Sequence, residues 1–194
     1  MEITRKSILT FPIEGADGGT VYVHSTPVGR AVFEQFYKVL GHVFTSCFSD
    51  EDPRHIALTA PQLALPALKA AAGAQWEPDG KPGVKAGLVN EIIRLTSVAY
   101  VDPTGIGWAT LPLDIAIKRG IVDDDGEAEI LSNLVFFTAI SKVAPRTLCA
   151  SFLEMASSLR DWQFTFSNVT GWISSLPTLT PIENSTIPTS SVIS

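Results

Sequence analysis

The chain is poor in the residues that carry most recognisable chemistry. It has three histidines and two cysteines in 194 residues. With so few cysteines it has no disulfide framework to lean on, and a chain of this length can bury roughly 70% of its unfolded surface without one. Basic residues are also scarce: 14 Lys and Arg stand against 20 Asp and Glu, for a formal charge of −6. That balance argues against a generic phosphate-backbone binder, which needs a basic face, so no nucleic acid partner is expected. Long apolar runs are missing as well. The longest, around Leu134 to Ile140, falls far short of the ~20 residues that cross a bilayer, so no membrane partner is expected. The opening Met1-Glu2-Ile3-Thr4-Arg5-Lys6 is polar, without the apolar stretch of a signal peptide. No internal repeat is visible. These absences lead to the expectation of a soluble, cytosolic-type protein in which both cysteines are buried thiols.

The spacing of what little chemistry there is excludes more. His24, His42 and His55 fall on different segments, and His42 and Cys47 lie five apart, off a shared helical face. The acidic run Asp123 to Glu129 invites a calcium reading. An EF-hand loop turning at Gly126 would need an oxygen ligand at 121 and a glutamate at 132, where this chain has Ile121 and Ser132. The same run suits a helix start, with Asp124 and Glu127 at capping-box spacing. Gly80-Lys81-Pro82-Gly83 lacks the upstream glycine and the hydroxyl residue of a phosphate loop, and no Gly-x-Ser-x-Gly elbow occurs. No enzyme activity, no metal and no cofactor is expected.

What the chain does have is a substantial apolar content, 45%, patterned for burial. The stretch from Asp123 to Leu159 organises the rest. Ile130, Leu131, Leu134, Val135, Phe137 and Ile140 recur at helical spacing, and a second helix carrying Leu148, Phe152, Met155 and Leu159 follows across Val143-Ala144-Pro145. Upstream, residues 2–24 read as a β-hairpin turning at Gly15 to Gly19. Such a hairpin is marginal alone. It lies on its own helices in the simplest expectation, while an open strand edge would be an assembly surface, including for a homo-oligomer. Ser25-Thr26-Pro27 opens a helix running to about Ser49, and a helix over residues 59–75 must kink or split at Pro66. Residues 84–99 read as a further helix, and Pro112 starts a short one that stops at Gly120. The expected fold is mainly α: one helical domain over 1–176 with the N-terminal hairpin, then a flexible Ser/Thr/Pro-rich tail over 177–194.

After the two central helices, Asp161 to Phe166 alternates as a strand or an arm laid on the core. It brings a surplus of aromatics, Trp162, Phe164 and Phe166, joined by Trp172. They either fill the core or anchor a partner protein, a role in which aromatic side chains often carry binding energy.

Several segments taken together carry a resemblance. They are Ser25-Thr26-Pro27-Val28-Gly29-Arg30-Ala31-Val32-Phe33-Glu34, Leu111-Pro112-Leu113 leading to Gly120, and Leu134-Val135-Phe136-Phe137-Thr138. The ending Thr165-Phe166-Ser167-Asn168-Val169-Thr170, followed by Ser174-Ser175-Leu176-Pro177-Thr178-Leu179-Thr180, joins them. In these the chain resembles tail assembly chaperones of long-tailed bacteriophages. The resemblance implies a non-catalytic helper in the host cytoplasm, absent from the mature virion. Such a helper keeps the tape measure protein soluble and recruits tail tube protein around it. The alternative within the same setting is a structural virion component, such as a head–tail connector or minor tail protein.

Overall fold

The computed structural model describes residues 7–48, 52–102 and 107–177. Strand β1 (Ile8–Glu14) turns back into β2 (Thr20–Ser25). Gly18 takes φ +78° at the turn, and Asp17 Oδ1 accepts from the Gly19 N–H at 2.9 Å. Helices α1 (Arg30–Cys47) and α2 (Pro53–Ala72) follow, then a π-helical turn at Lys85–Val89 that runs into α3 (Asn90–Arg94). Strands β3 (Thr96–Val101) and β4 (Trp108–Pro112) come next, then α4 (Leu113–Lys118), α5 (Asp124–Val143) and α6 (Arg146–Arg160). Strand β5 (Gln163–Thr165) and the short α7 (Val169–Ile173) end the described chain.

The fold is α+β, which overturns the expectation of a mainly α domain with a lone hairpin. All five strands join one antiparallel sheet in the order β4-β3-β2-β1-β5. The hairpin is its centre: Val23 of β2 pairs with Val98 of β3, and Leu9 of β1 pairs with Phe164 of β5. The helix expected over 84–99 ends at Arg94, where Thr96 Oγ1 donates to the Ile92 carbonyl at 2.7 Å and the chain leaves to pair with β2. The tail expected over 177–194 lies outside the described residues apart from Pro177, and residues 2–6 of the expected hairpin do as well.

Helix starts differ in detail from expectation. Ser25 belongs to β2, where its Oγ bonds Thr96 Oγ1 at 2.8 Å, and α1 begins at Arg30 without a side-chain cap. Helix α2 begins at Pro53, capped by Asp52, and runs unbroken through both Pro61 and Pro66. The cap of α5 is Asp123, whose Oδ1 accepts from the Gly126 N–H at 2.8 Å. Gly120 does take the left-handed conformation after α4, at φ +67°.

The inner sheet face, built from Leu9, Phe11, Val21, Val23, Val98 and Phe164, joins one continuous core with α1, α2, α5 and α6. Helix α5 runs through the middle of it. Every residue from Ile130 to Ser141 is buried, so the helix is enclosed on all sides where the sequence pattern suggested a single apolar face. Four of those residues are polar: Ser132, Asn133, Thr138 and Ser141. Burying them requires hydrogen-bond partners.

Ser132 has an unusual pair of partners. Pro66 in α2 has no N–H, which orphans the Gln62 carbonyl one turn earlier. Ser132 Oγ donates to that carbonyl at 2.9 Å and accepts from the Leu65 N–H at 3.1 Å. One hydroxyl thus mends the break that proline makes. The other sheet face is crossed by the C-terminal segment. His24 Nε2 meets the Ser167 carbonyl at 3.1 Å, the Trp172 ring lies 4.9 Å from the His24 ring, and Trp108 Nε1 donates to the Pro177 carbonyl at 2.9 Å.

A double-mutant cycle tests the mend. Ser132→Ala should cost about 2 kcal/mol in urea unfolding, because it takes two hydrogen bonds away, one from the part-buried Gln62 carbonyl and one from the buried Leu65 N–H. In a Pro66→Ala background, where residue 66 can bond Gln62 itself, the same substitution should cost less than about half of that. An equal cost in both backgrounds would show that Ser132 does not act through the proline break.

Candidate functional site

Helices α2 and α5 pack along one another, and on the outer side of their seam two hollows open. They measure about 460 Å³ and 340 Å³ and share Leu65, Lys69 and Ala128 as a common saddle. Ala128 is exposed and puts only a methyl group on that saddle, where a longer side chain would project into both hollows.

The larger hollow is polar at its far end. Pro66 and Gln62 form its α2 wall, and Glu129, Ser132 and Asn133 its α5 wall. Behind Asn133 stands Arg160 of α6. Its Nη2 donates to Asn133 Oδ1 at 3.3 Å and its Nη1 to the Leu58 carbonyl at 2.7 Å. Arg160 Nε is buried with no hydrogen-bond partner among the described residues. Burial lowers the pKa of this guanidinium from its ordinary value, and the nearby Glu129 carboxylate opposes that shift.

The smaller hollow is apolar on its floor, with Trp76, Val89, Ile93 and Leu131, and charged at its rim, with Lys85, Asp124 and Glu127. The π-helical turn supplies its third wall. Two glycines let that turn sit where it does: a Cβ at Gly87 would run into the Phe36 ring of α1, and one at Gly83 would run into the Trp76 carbonyl. π-Helical turns are rare and recur at functional sites. Lys69 lies over the Trp76 ring at 5.7 Å, and Lys85 pairs with Glu77 at 2.8 Å.

The four aromatics singled out as partner anchors divide. Trp162 is 1% exposed and packs between Phe11 and Phe136, with ring centroids 6.2 Å and 6.1 Å away. Phe164 lies in β5 with its ring 6.0 Å from Phe137, and Trp172 is buried against His24. Phe166 alone of the four is exposed, at 54%. The chain can place Trp162 in the core because Asp161 adopts the left-handed conformation at φ +55°, turning sharply out of α6. None of the four touches the groove, whose residues the sequence reading did not group. The only local signal was Pro66 within an apolar helix.

The remaining chemistry is sparse. Among the described residues, no group of three or more His, Cys, Asp or Glu side chains is placed to hold a metal ion. No helix among them is long and apolar enough to cross a membrane. Both cysteines are buried thiols. Cys47 Sγ lies 3.7 Å from the Ala60 carbonyl, and burial pushes its pKa up from 9.0 to about 11. What the groove can do is hold apolar side chains over Leu65 and Leu131 while meeting charge at its rim. No protein-family model, no curated protein and no solved structure matches the chain.

Two outcomes check this placement. Trp172→Ala should destabilise the protein by roughly 3 kcal/mol, the usual scale for removing a buried indole, while Phe166→Ala should shift it by less than about 0.5 kcal/mol; chemical denaturation reads both. For Cys47 the raised pKa sets the sign. Between pH 9.0 and about 11 the native thiol stays protonated while the unfolded one ionises, so stability falls as pH rises through that window and is unaffected by this group below it. Unfolding free energies measured at both ends should show a smaller fall in Cys47→Ala than in the parent.

Proposed function

We propose that this chain acts by binding another protein in the α2–α5 groove, as a non-catalytic helper in the assembly of a long phage tail. The client would be the tape measure protein, held soluble until tail tube protein is recruited around it. The observation that carries the binding part is the groove: an open, two-lobed channel with an apolar floor and a charged rim, on a chain whose net charge of −6 resists aggregation. A client with a long apolar helical stretch needs such a surface to stay in solution. The phage setting rests on the resemblance of the quoted segments. Within the described residues, those segments fall in β2 and α1, in β4 and α4, in α5, and in the C-terminal segment up to Pro177.

A second reading, a structural virion component such as a head–tail connector or minor tail protein, draws on a different surface. Strand β4 stands at the edge of the sheet with no further strand beside it among the described residues. An open edge can take a strand from a neighbouring subunit.

Co-expression with the tape measure protein encoded nearby separates the two. The first reading expects the client to become soluble and to co-purify with this chain, expects Ala128→Arg to abolish both effects, and expects the chain to be missing from purified virions. No association, together with a fixed copy number in mature particles, would overturn it in favour of the structural role.

A further inference from the structure

The groove's shape and charge say what kind of segment it accepts. Along α5 it runs from Asp124 to Asn133, ten residues that rise roughly 14 Å from first to last, or about two and a half helical turns. Its walls are helices and a π-helical turn, with no strand among them. An extended segment laid in it would find no strand edge and would leave its own N–H and C=O groups unmet. A helix satisfies its backbone by itself. Two hollows on either side of the Leu65–Ala128 saddle match two apolar anchors spaced one to two turns apart on one helix face.

Charge narrows the choice. Of the two cations at the groove, Lys85 pairs with Glu77 at 2.8 Å, while Lys69 lies over the Trp76 ring at 5.7 Å and keeps its charge. Asp124 and Glu127 at the opposite rim have no ion pair among the described residues. Arg160, the cation nearest Glu129, is bonded to the Leu58 carbonyl and to Asn133. Asp124 and Glu127 also suit the amino-terminal end of α5, which explains how they are tolerated without a partner and leaves them available to one. Three carboxylates, Asp124, Glu127 and Glu129, thus line the α5 side against Lys69 on α2, the single groove cation with no ion pair among the described residues, so the balance along α5 is negative.

We infer that the occupant is an amphipathic helix of another protein, with Lys or Arg along one flank of its apolar stripe. This rests on the reading of the groove as a protein-binding site and adds the chemistry of the partner.

The test uses two labelled helical peptides about 18 residues long, a length that can hold a helix. Both carry the same Leu stripe; one is flanked by Lys and the other by Glu. Fluorescence anisotropy with the full-length protein should show the Lys peptide binding at least about tenfold more tightly at low salt, the advantage shrinking as salt screens it. Asp124→Asn with Glu127→Gln should erase the preference, and Asp124→Lys with Glu127→Lys should reverse it. The neutral pair keeps the test valid if the reversed pair folds poorly. Ala128→Arg should abolish binding of both peptides, with circular dichroism confirming that the fold is retained.

Equal binding of both peptides, lost in Ala128→Arg, would overturn the charge inference and leave the groove reading standing. Binding that survives Ala128→Arg would overturn the groove reading itself. Failure of both peptides to bind would overturn the inference. So would a dimer of the protein that Ala128→Arg dissolves, since the groove's occupant would then be a second copy of this chain.

Discussion

The structure depends on a hydroxyl group placed against a broken helix. Proline inside a helix removes one hydrogen bond and costs roughly 3 kcal/mol where nothing compensates. Helix α2 carries two, Pro61 and Pro66, and still runs as one element. At Pro66 the repair comes from Ser132, which supplies both a donor to Gln62 and an acceptor for Leu65. Arg160 of α6 adds a second polar tie to the same helix by donating to the Leu58 carbonyl. The partner of the Pro66 defect sits on α5, so that defect specifies where α5 lies beside α2 and in what register. A purely apolar contact between α2 and α5 could slide by a turn at little cost. One with Ser132 opposite Gln62 cannot, because slipping would leave the buried Ser132 hydroxyl without either of its partners.

The enclosure of α5 makes this arrangement necessary. A helix buried on every side from Ile130 to Ser141 cannot turn its polar residues toward water. Ser132 reaches α2, Asn133 reaches Arg160, and Ser141 turns to the Thr138 carbonyl at 3.3 Å. Each is a lock between α5 and its surroundings or within α5 itself. The aromatic contacts then fill the space between locks: Phe136 and Phe137 meet Trp162 and Phe164, which the left-handed turn at Asp161 swings inward.

Much of this was legible locally, and the part that was not is non-local. The turn at Gly15 to Gly19, the apolar faces of α1 and α6, the dense run in α5 and the glycine stop at Gly120 all declare themselves within a few residues. Residues 96–101 did not. Leu95 and Ala99 continue the helical phase of Leu88 and Ile92, and only the β-branched Thr96, Val98 and Val101 argue otherwise. What decides for a strand is Val23, some 75 residues earlier, offering an unpaired edge. Local periodicity carries no information about that edge. Ser25 failed as a helix cap for the same reason: Thr96, brought alongside by the sheet, claims its hydroxyl.

The groove was illegible on different grounds. Leu65, Leu131, Val89 and Ile93 have the spacing of ordinary core residues, and nothing in their order says that a helix-sized space is left open beside them. That space exists because of small or broken positions: Ala128 in place of a large side chain, Pro66 with its missing bond, and the glycines that press the π-helical turn onto Phe36 and the Trp76 carbonyl. Substitutions that would improve the helices or the packing at these places would also fill the channel. Proteins accept such local costs where a surface must stay open for something else. The same places that weaken α2 and the π-helical turn as helices are the ones that give the protein a surface for a partner.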